Sequence, residues 1–253
     1  MVYGIWLSAD GLSSQQVRQQ VLANNLAQVD TPGFKADRVA FSERMNESLL
    51  RGALPETQYP GFENATGGLF PTQVYTSYEQ GRFIPTSNKL DVALQGPGFL
   101  TIGTDEGVRY TRDGRLTIDA EGNLTHIASG GRVLDNGGQP IVLDPRRVSA
   151  VAIDSRGRVN QGDTTAGQLA VVDFEDPQAL EKAGENLVNA GNAQWIPAKA
   201  DVRQGMIEAS GVDPTLSMVD MIAATRAYEM GASMIRLQDE SLGRVVNDVG
   251  RIA

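Results

Sequence analysis

From Leu216 to Ile252 an apolar or small side chain recurs at every third or fourth position: Leu216, Val219, Ala223, Ala227, Met230, Met234, Leu237, Ser241, Val245, Val249 and Ile252. Spacing of this kind over so long a run is the seam of a coiled coil. A helix with one narrow stripe cannot bury it alone, so it needs a partner. Asp213-Pro214 marks the start, with Asp as N-cap and Pro in the first turn. The spacing predicts one helix over 213–249. Gly231 and Gly243 lie inside it, each costing up to about 1 kcal/mol relative to Ala.

The other end of the chain carries a matching element. Residues 3 to 30 place Ile5, Ala9, Leu12, Val17, Val21, Leu22, Leu26 and Val29 near helical spacing, opposite a face rich in glutamine (Gln15, Gln16, Gln19, Gln20). The helix must end before Pro32, and Thr31-Pro32-Gly33 is a turn signal. The natural partner of one terminal helix is the other, antiparallel or staggered, with further surface left for neighbouring subunits.

Between the helices the texture changes. Residues 36–85 are punctuated by Gly52, Pro55, Pro60-Gly61, Gly67-Gly68, Pro71, Gly81 and Pro85, and read as an extended connector. Residues 88–205 alternate short apolar runs with turn dipeptides. Strands are expected at 90–94, 99–102, 108–111, 116–118, 123–126, 141–143, 150–153, 158–160 and 168–174, with a short helix at 177–183. Asp113-Gly114, Glu121-Gly122, Asn136-Gly137-Gly138 and Arg156-Gly157 would supply the positive φ of hairpin turns. The expected fold class is α+β: terminal helices pairing as a coiled coil around a central all-β, barrel-like or sandwich domain. The boundaries are an N-terminal helix at 1–35, a connector at 36–85, a β-rich domain at 86–205 and a C-terminal helix at 206–253.

Composition removes several function classes. The net charge of −9, with no basic cluster, argues against nucleic acid and against an anionic membrane face. The absence of cysteine removes disulfides, thiol nucleophiles and Cys-ligated metals. No stretch approaches the roughly 18 apolar residues of a membrane span, and the first residues do not form a signal peptide. His126, the only histidine, is expected to be a surface or half-buried strand residue, since a metal site needs several convergent ligands. No Gly-x-Ser-x-Gly elbow accompanies it. Gly96-Pro97-Gly98 is read as a tight turn between strands and not a phosphate loop. Asp113, Asp119 and Glu121 miss the EF-hand spacing and are read as turn formers. Trp6 is expected at a helix contact and Trp195 inside the β domain. No catalytic, cofactor or metal site is expected. A secreted β-rich binding or adhesion module with helical flanks is the alternative; it accounts for the strands but not for the stripes at both ends.

Residues 23–35, Ala-Asn-Asn-Leu-Ala-Gln-Val-Asp-Thr-Pro-Gly-Phe-Lys, closely resemble the N-terminal signature of bacterial flagellar rod and hook proteins. Leu90 to Leu100, Tyr110-Thr111-Arg112-Asp113-Gly114 with Asp119, Gly122 and Leu124, and Gly184-Glu185-Asn186-Leu187 are similar to further family stretches. Gln204-Gly205, Glu208, Ser210, Val212-Asp213, Met218-Val219, Met221-Ile222 and Arg226-Ala227-Tyr228-Glu229 look like the C-terminal signature. Features of both the proximal and the distal rod type are present. The resemblance implies a structural subunit of the basal-body rod, without cofactor or reaction. It would polymerise into the drive shaft that carries torque, its helices forming an inner coiled-coil layer and its β domain an outer one. It further implies export through the flagellar type III apparatus without a cleaved signal, a place in the periplasmic rod, and contacts with itself, neighbouring rod or hook subunits and surrounding ring proteins. The residues expected at polymer or helix interfaces are Leu12, Leu22, Asn24, Asn25, Leu26, Gly33, Phe34, Val219, Ile222, Ala227, Tyr228, Met230, Met234 and Leu237. Gly33 is expected to take a positive φ and to drop Phe34 into a pocket between subunits; the alternative is an ordinary capped helix whose Phe34 packs inside its own subunit.

Overall fold

A computed structural model describes residues 2–43 and 68–250. The stretch 44–67 of the expected connector and Ile252 of the expected seam lie outside the described residues. The chain divides into two compact units. A helical unit takes in the described residues of 1–27, 37–75 and 214–253, and a β unit takes in Gln28–Ala36 and Thr76–Asp213.

The helical unit holds α1 (Val2–Ala27), a two-stranded sheet of β1 (Asp37–Glu43) and β2 (Leu69–Thr76), and α2 (Pro214–Gly250). Pro214 opens α2 at a position where a missing N–H leaves no bond unmade. At 1.5 Å per residue α2 is about 55 Å long. The two helices run antiparallel: Gly4 faces Gln238, Leu12 faces Gly231, and Gln19 donates to the Thr225 hydroxyl at 3.3 Å. A Cβ on Gly231 would sit 2.8 Å from Leu12 Cδ2, so the close approach of α1 explains a glycine in mid-helix. The two-stranded sheet is tied to α1 by Ser14 Oγ, which donates to the Leu69 carbonyl at 2.8 Å. Asn25 holds Asp37 at both its N–H (2.9 Å) and its C=O (2.7 Å).

The β unit contains β3 (Phe83–Pro85), β4 (Val92–Gln95), β5 (Phe99–Thr104), β6 (Gly107–Thr111), β7 (Leu116–Ile118), β8 (Leu124–His126), β9 (Arg132–Val133), β10 (Val151–Ile153), β11 (Arg158–Gln161), β12 (Thr164–Gln168), β13 (Val171–Phe174), β14 (Glu181–Gly184), β15 (Leu187–Asn189), β16 (Trp195–Pro197), β17 (Asp201–Gln204) and β18 (Met206–Glu208). One nine-stranded sheet runs β14-β15-β6-β5-β9-β8-β7, with β13 pairing β5 and β16. A second sheet is β10-β11-β12, and β17–β4 and β18–β3 are separate antiparallel pairs. Among the described residues no barrel closes: the outer strands β7 and β14 of the large sheet do not pair. The reason lies in the short strands and in the positive-φ glycines that end so many of them. The core joins Val92, Leu94, Leu100, Ile102, Leu116, Leu124, Val133, Ile141, Val159 and Leu169. A smaller aromatic cluster packs Phe99 edge-on to Tyr78 and Phe174, with centroids 5.7 and 5.8 Å apart.

Three hairpins share one turn device, Asp-x-x-Gly. Asp119, Asp135 and Asp154 each accept two backbone N–H bonds at 2.7–2.9 Å, from the second and fourth residues onward. The glycine three residues on (Gly122, Gly138, Gly157) takes φ of 91°, 75° and 78°. Asp113-Gly114 differs from expectation. Gly114 is absent from the positive-φ set; a Cβ there would fall 1.6 Å from the Val92 carbonyl oxygen, so it is a glycine for close approach. Gly96 and Gly98, with φ of 108° and 143°, do turn the chain between β4 and β5. Residues 141–143 form only an isolated bridge at Val142, although Ile141 and Leu143 are core. The expected helix at 177–183 shrinks to a 3-10 turn, Pro177–Ala179, capped by Asp176.

Candidate assembly surface

Helix α2 presents two different faces. Toward α1 it turns Gly231 and Gln238, on a side where Ala224 is buried and Met221, Ile235 and Leu242 are half-buried. The expected seam lies roughly a third of a turn away and faces solvent. Leu216, Val219, Met230, Met234 and Leu237 are each more than half exposed, and so is Ile222 beside them. Tyr228 is exposed and Ala227 half-buried. The stripe therefore exists at the expected residues, but it is not the face that meets α1.

The α1–α2 contact itself is polar. Arg18 and Asp220 pair at 3.5 Å with both side chains substantially exposed, a contact worth about 0–1 kcal/mol. Gln15 Oε1 and Gln238 Oε1 are buried with no donor among the described residues. On α1, Leu12 meets α2, Leu22 and Leu26 are half-buried, Asn24 is exposed, and Asn25 is buried against Asp37. Trp6, expected at a helix contact, is nearly half exposed. Trp195, expected in the β core, is 62% exposed on β16.

Gln28–Ala36 and the segment after β18 lie side by side in the β unit. Gly33 N–H donates to the Glu208 carbonyl at 2.8 Å, and Gly211 N–H to the Phe34 carbonyl at 2.9 Å. Gly33 has the expected positive φ, 70°. Phe34 does not reach out to a neighbouring subunit: it is 7% exposed within its own chain, with Lys182 Nζ 4.5 Å above its ring. The ring is covered because Gly33 turns it inward and Lys182 closes over it, Nζ also donating to the Lys35 carbonyl at 3.0 Å. Asn186 Nδ2 holds the Pro32 carbonyl at 2.6 Å.

Under this crossing sits a buried charge cluster that the sequence did not announce. The Glu208 carboxylate, fully buried, pairs with Lys35 Nζ and with Arg112 Nη1 at 3.3 Å, and it accepts the Gly81 N–H at 2.8 Å. Lys35 also donates to the Glu79 carbonyl at 2.7 Å, and Arg112 to the Gly96 carbonyl at 2.9 Å. Burial pulls Lys35 and Arg112 below their ordinary pKa values, and Glu208 opposes the shift without cancelling it. Two cations thus share one carboxylate in a site shielded from water. Lys35 and Glu208 stood in the two resembling stretches, but no spacing rule foretells that residues 173 apart will meet.

The structure does bring a serine, a histidine and an aspartate together. His126 is fully buried, not half-exposed as expected; Nδ1 lies 2.9 Å from Ser129 Oγ, and Nε2 lies 3.4 Å from Asp113 Oδ2. The row does not make a nucleophile. Asp113 is held at two points by Arg115, at 3.0 and 2.6 Å, and Ser129 Oγ accepts the Gly131 N–H at 3.3 Å within a tight turn. Ser129 borders an open polar groove of about 880 Å³, with Arg109, Arg132 and Glu185 along it. Among the described residues no group of side chains could hold a metal, and no helix is long and apolar enough to cross a membrane.

Burial raises the Asp113 carboxyl, but the adjoining His126 ring and the hydrogen bonds from Arg115 outweigh it and hold the group below the usual carboxylate range. A carboxylate with a depressed folded-state pKa stabilises above its unfolded value of about 3.9 and loses that contribution as pH falls through the folded value. The β unit is therefore expected to lose stability as pH falls below about 4. Asp113→Asn should flatten that slope, leaving the part due to Asp119 and Asp154, which are depressed too. Urea midpoints followed by near-ultraviolet dichroism from pH 7 to 2.5 check this; an equally steep acid slope in the variant would refute it.

Comparison with known proteins follows the same order along the chain. A family described as flagella basal body rod protein matches residues 7–35. The flagellar hook protein FlgE/F/G D1 domain matches 93–161, and the flagellar basal body rod FlgEFG protein C-terminal region matches 203–248. The flagellar basal-body rod protein FlgF of Caulobacter vibrioides is 34% identical over 96% of this chain and 97% of its own length. FlgG of Buchnera aphidicola subsp. Schizaphis graminum is 31% identical over 97% and 99%, and FlgG of Bacillus subtilis 29% identical over 98% and 99%.

Proposed function

This chain belongs to the flagellar basal-body rod protein family, and we propose that it enters the rod through the outward stripe of α2. It is a structural subunit of the basal body and not an enzyme. The alternative of a secreted adhesion module falls away, because the likeness to rod proteins runs through both terminal helices as well as the β unit. The observation that carries the proposal is a stripe of large apolar side chains on α2, Val219, Met230, Met234 and Leu237, that faces water, away from the side that meets α1 at Gly231 and Gln238. A face of that kind marks an interaction site. Contact between unlike faces of successive copies generates a helical polymer wherever the rotation does not close into a ring. In this reading α1 and α2 form the inner, coiled-coil layer and the β unit the outer one. Asn24 and Ile222 would then lie at helix contacts between subunits. Gly33 and Phe34 would set the chain direction within one subunit. Partners would be neighbouring rod and hook subunits, the type III export apparatus and the surrounding rings, with the periplasmic rod as destination.

Val219→Asp and Leu237→Asp test it. Each puts a carboxylate where the contact offers no partner. Each is expected to weaken self-association by at least tenfold, about 1.4 kcal/mol, and to abolish motility, while the β unit keeps its fold. Wild-type swimming by either mutant would show that the stripe faces no neighbour.

A further inference from the structure

Four of the seven methionines lie in α2. Met218, Met230 and Met234 are more than half exposed, whereas Met206 and Met221 are half-buried. The chain has no cysteine, so no thiol competes for an oxidant and the exposed thioethers are its readiest targets. Met230 and Met234, one turn apart, stand in the middle of the outward stripe, between Val219 and Leu237. Met218 points elsewhere: at 3.6 residues per turn it is roughly a third of a turn from Met230.

We infer that Met230 and Met234 form an oxidation site that switches off assembly of the free chain. The oxidant is of the peroxide class. The thioether sulfur gives an electron pair to one peroxide oxygen, the O–O bond breaks and an S–O bond forms. Sulfur is oxidised by two electrons, and the departing hydroxide takes a proton and leaves as water. Each sulfoxide places a polar, chiral S=O on a face that works by being apolar. Once the stripe is covered by a neighbour the same sulfurs are shielded, so the switch acts before assembly and not after it. The lesion is reversible, because methionine sulfoxide reductases return the thioether.

The inference rests on the stripe being an interface, and the test separates the two. The purified full chain is treated with hydrogen peroxide, oxidation is mapped by peptide mass spectrometry, and self-association is measured by sedimentation at rising concentration. Met218, Met230 and Met234 should gain oxygen ahead of Met206 and Met221. Association should weaken at least about tenfold and return after treatment with the two reductases. The Met230→Leu, Met234→Leu double variant, whatever its own association constant, should show the same value with and without peroxide. The Met218→Leu variant should remain sensitive. Sulfoxides at 230 and 234 with unchanged association, or oxidation there no faster than at Met206 and Met221, would overturn the inference. Failure of the untreated chain to associate at all would instead count against the interface, and the order of oxidation would then decide the site alone.

Discussion

Glu208→Ala is expected to destabilise the β unit by about 3–5 kcal/mol, the range for breaking a buried ion pair by removing one partner. The carboxylate is fully buried and shared by Lys35, Arg112 and the Gly81 N–H. Its loss leaves an ammonium and a guanidinium facing each other, held by the backbone carbonyls of Glu79, Leu94 and Gly96. The asymmetry of the cluster sharpens the test. Burial already depresses both cations, so one positive charge is more than the site holds comfortably. Lys35→Met should cost less than Glu208→Ala, since the carboxylate keeps Arg112 as its partner and burial already opposes the lysine charge. Arg112→Met should cost more, because its guanidinium also lies 5.4 Å from the Phe99 ring centroid and ties Gly96. Chemical unfolding with amide exchange read at Val92 and Ile102 would rank the three variants. A Lys35→Met loss as large as that of Glu208→Ala would mean that the lysine, not the carboxylate, organises the site.

The cluster also shows where reading the sequence reaches its limit. The helices were legible because 3.6-residue periodicity is a property of neighbouring residues. The Asp-x-x-Gly turns were legible for the same reason: Asp119 and Gly122 solve a local problem with local atoms. The stripe residues of α2 were found, yet the side that meets α1 was not, because Val219 and Met230 stand out in a hydropathy pattern whereas Ala224 and Gly231 do not. Close packing of two helices favours the smaller residues, and composition hides them. Strands β14 and β17 were missed since Glu181–Gly184 and Asp201–Gln204 are largely polar, and β15, β16 and β18 since three residues are too few to show an alternation; all pair through backbone groups that every sequence carries. The burial of His126 and the meeting of Lys35 with Glu208 depend on partners distant in the chain, Asp113 and Arg112 among them, and a single sequence holds no record of such pairs.

Gly33→Val is expected to abolish motility and rod assembly while the protein still appears in the culture medium. Two costs combine. The backbone at Gly33 has φ of 70°, which a β-branched residue resists strongly and even alanine adopts at a cost of about 1–2 kcal/mol. A Cβ there would also meet Arg112 C at 2.5 Å, Arg112 O at 2.6 Å and Asp113 N at 2.7 Å. These are backbone atoms of a strand end that cannot swing aside as a side chain would. Relief must come from moving residues 32–35 away, and that movement breaks the Gly33–Glu208 and Phe34–Gly211 hydrogen bonds, uncovers Phe34 and loosens Lys35 from its carboxylate. The effect therefore travels to the segment that leads into α2 without touching the stripe itself. Gly11→Ala is the matching control: the site is helical, nothing lies within 4 Å of the added Cβ, and the change should stabilise α1 by about 0.5–1 kcal/mol. Passage to the medium should survive in Gly33→Val because export of an unfolded chain does not depend on this turn. Normal basal bodies in a Gly33→Val strain would show that the turn is not held as described, and loss of the protein from the medium would place the defect before assembly.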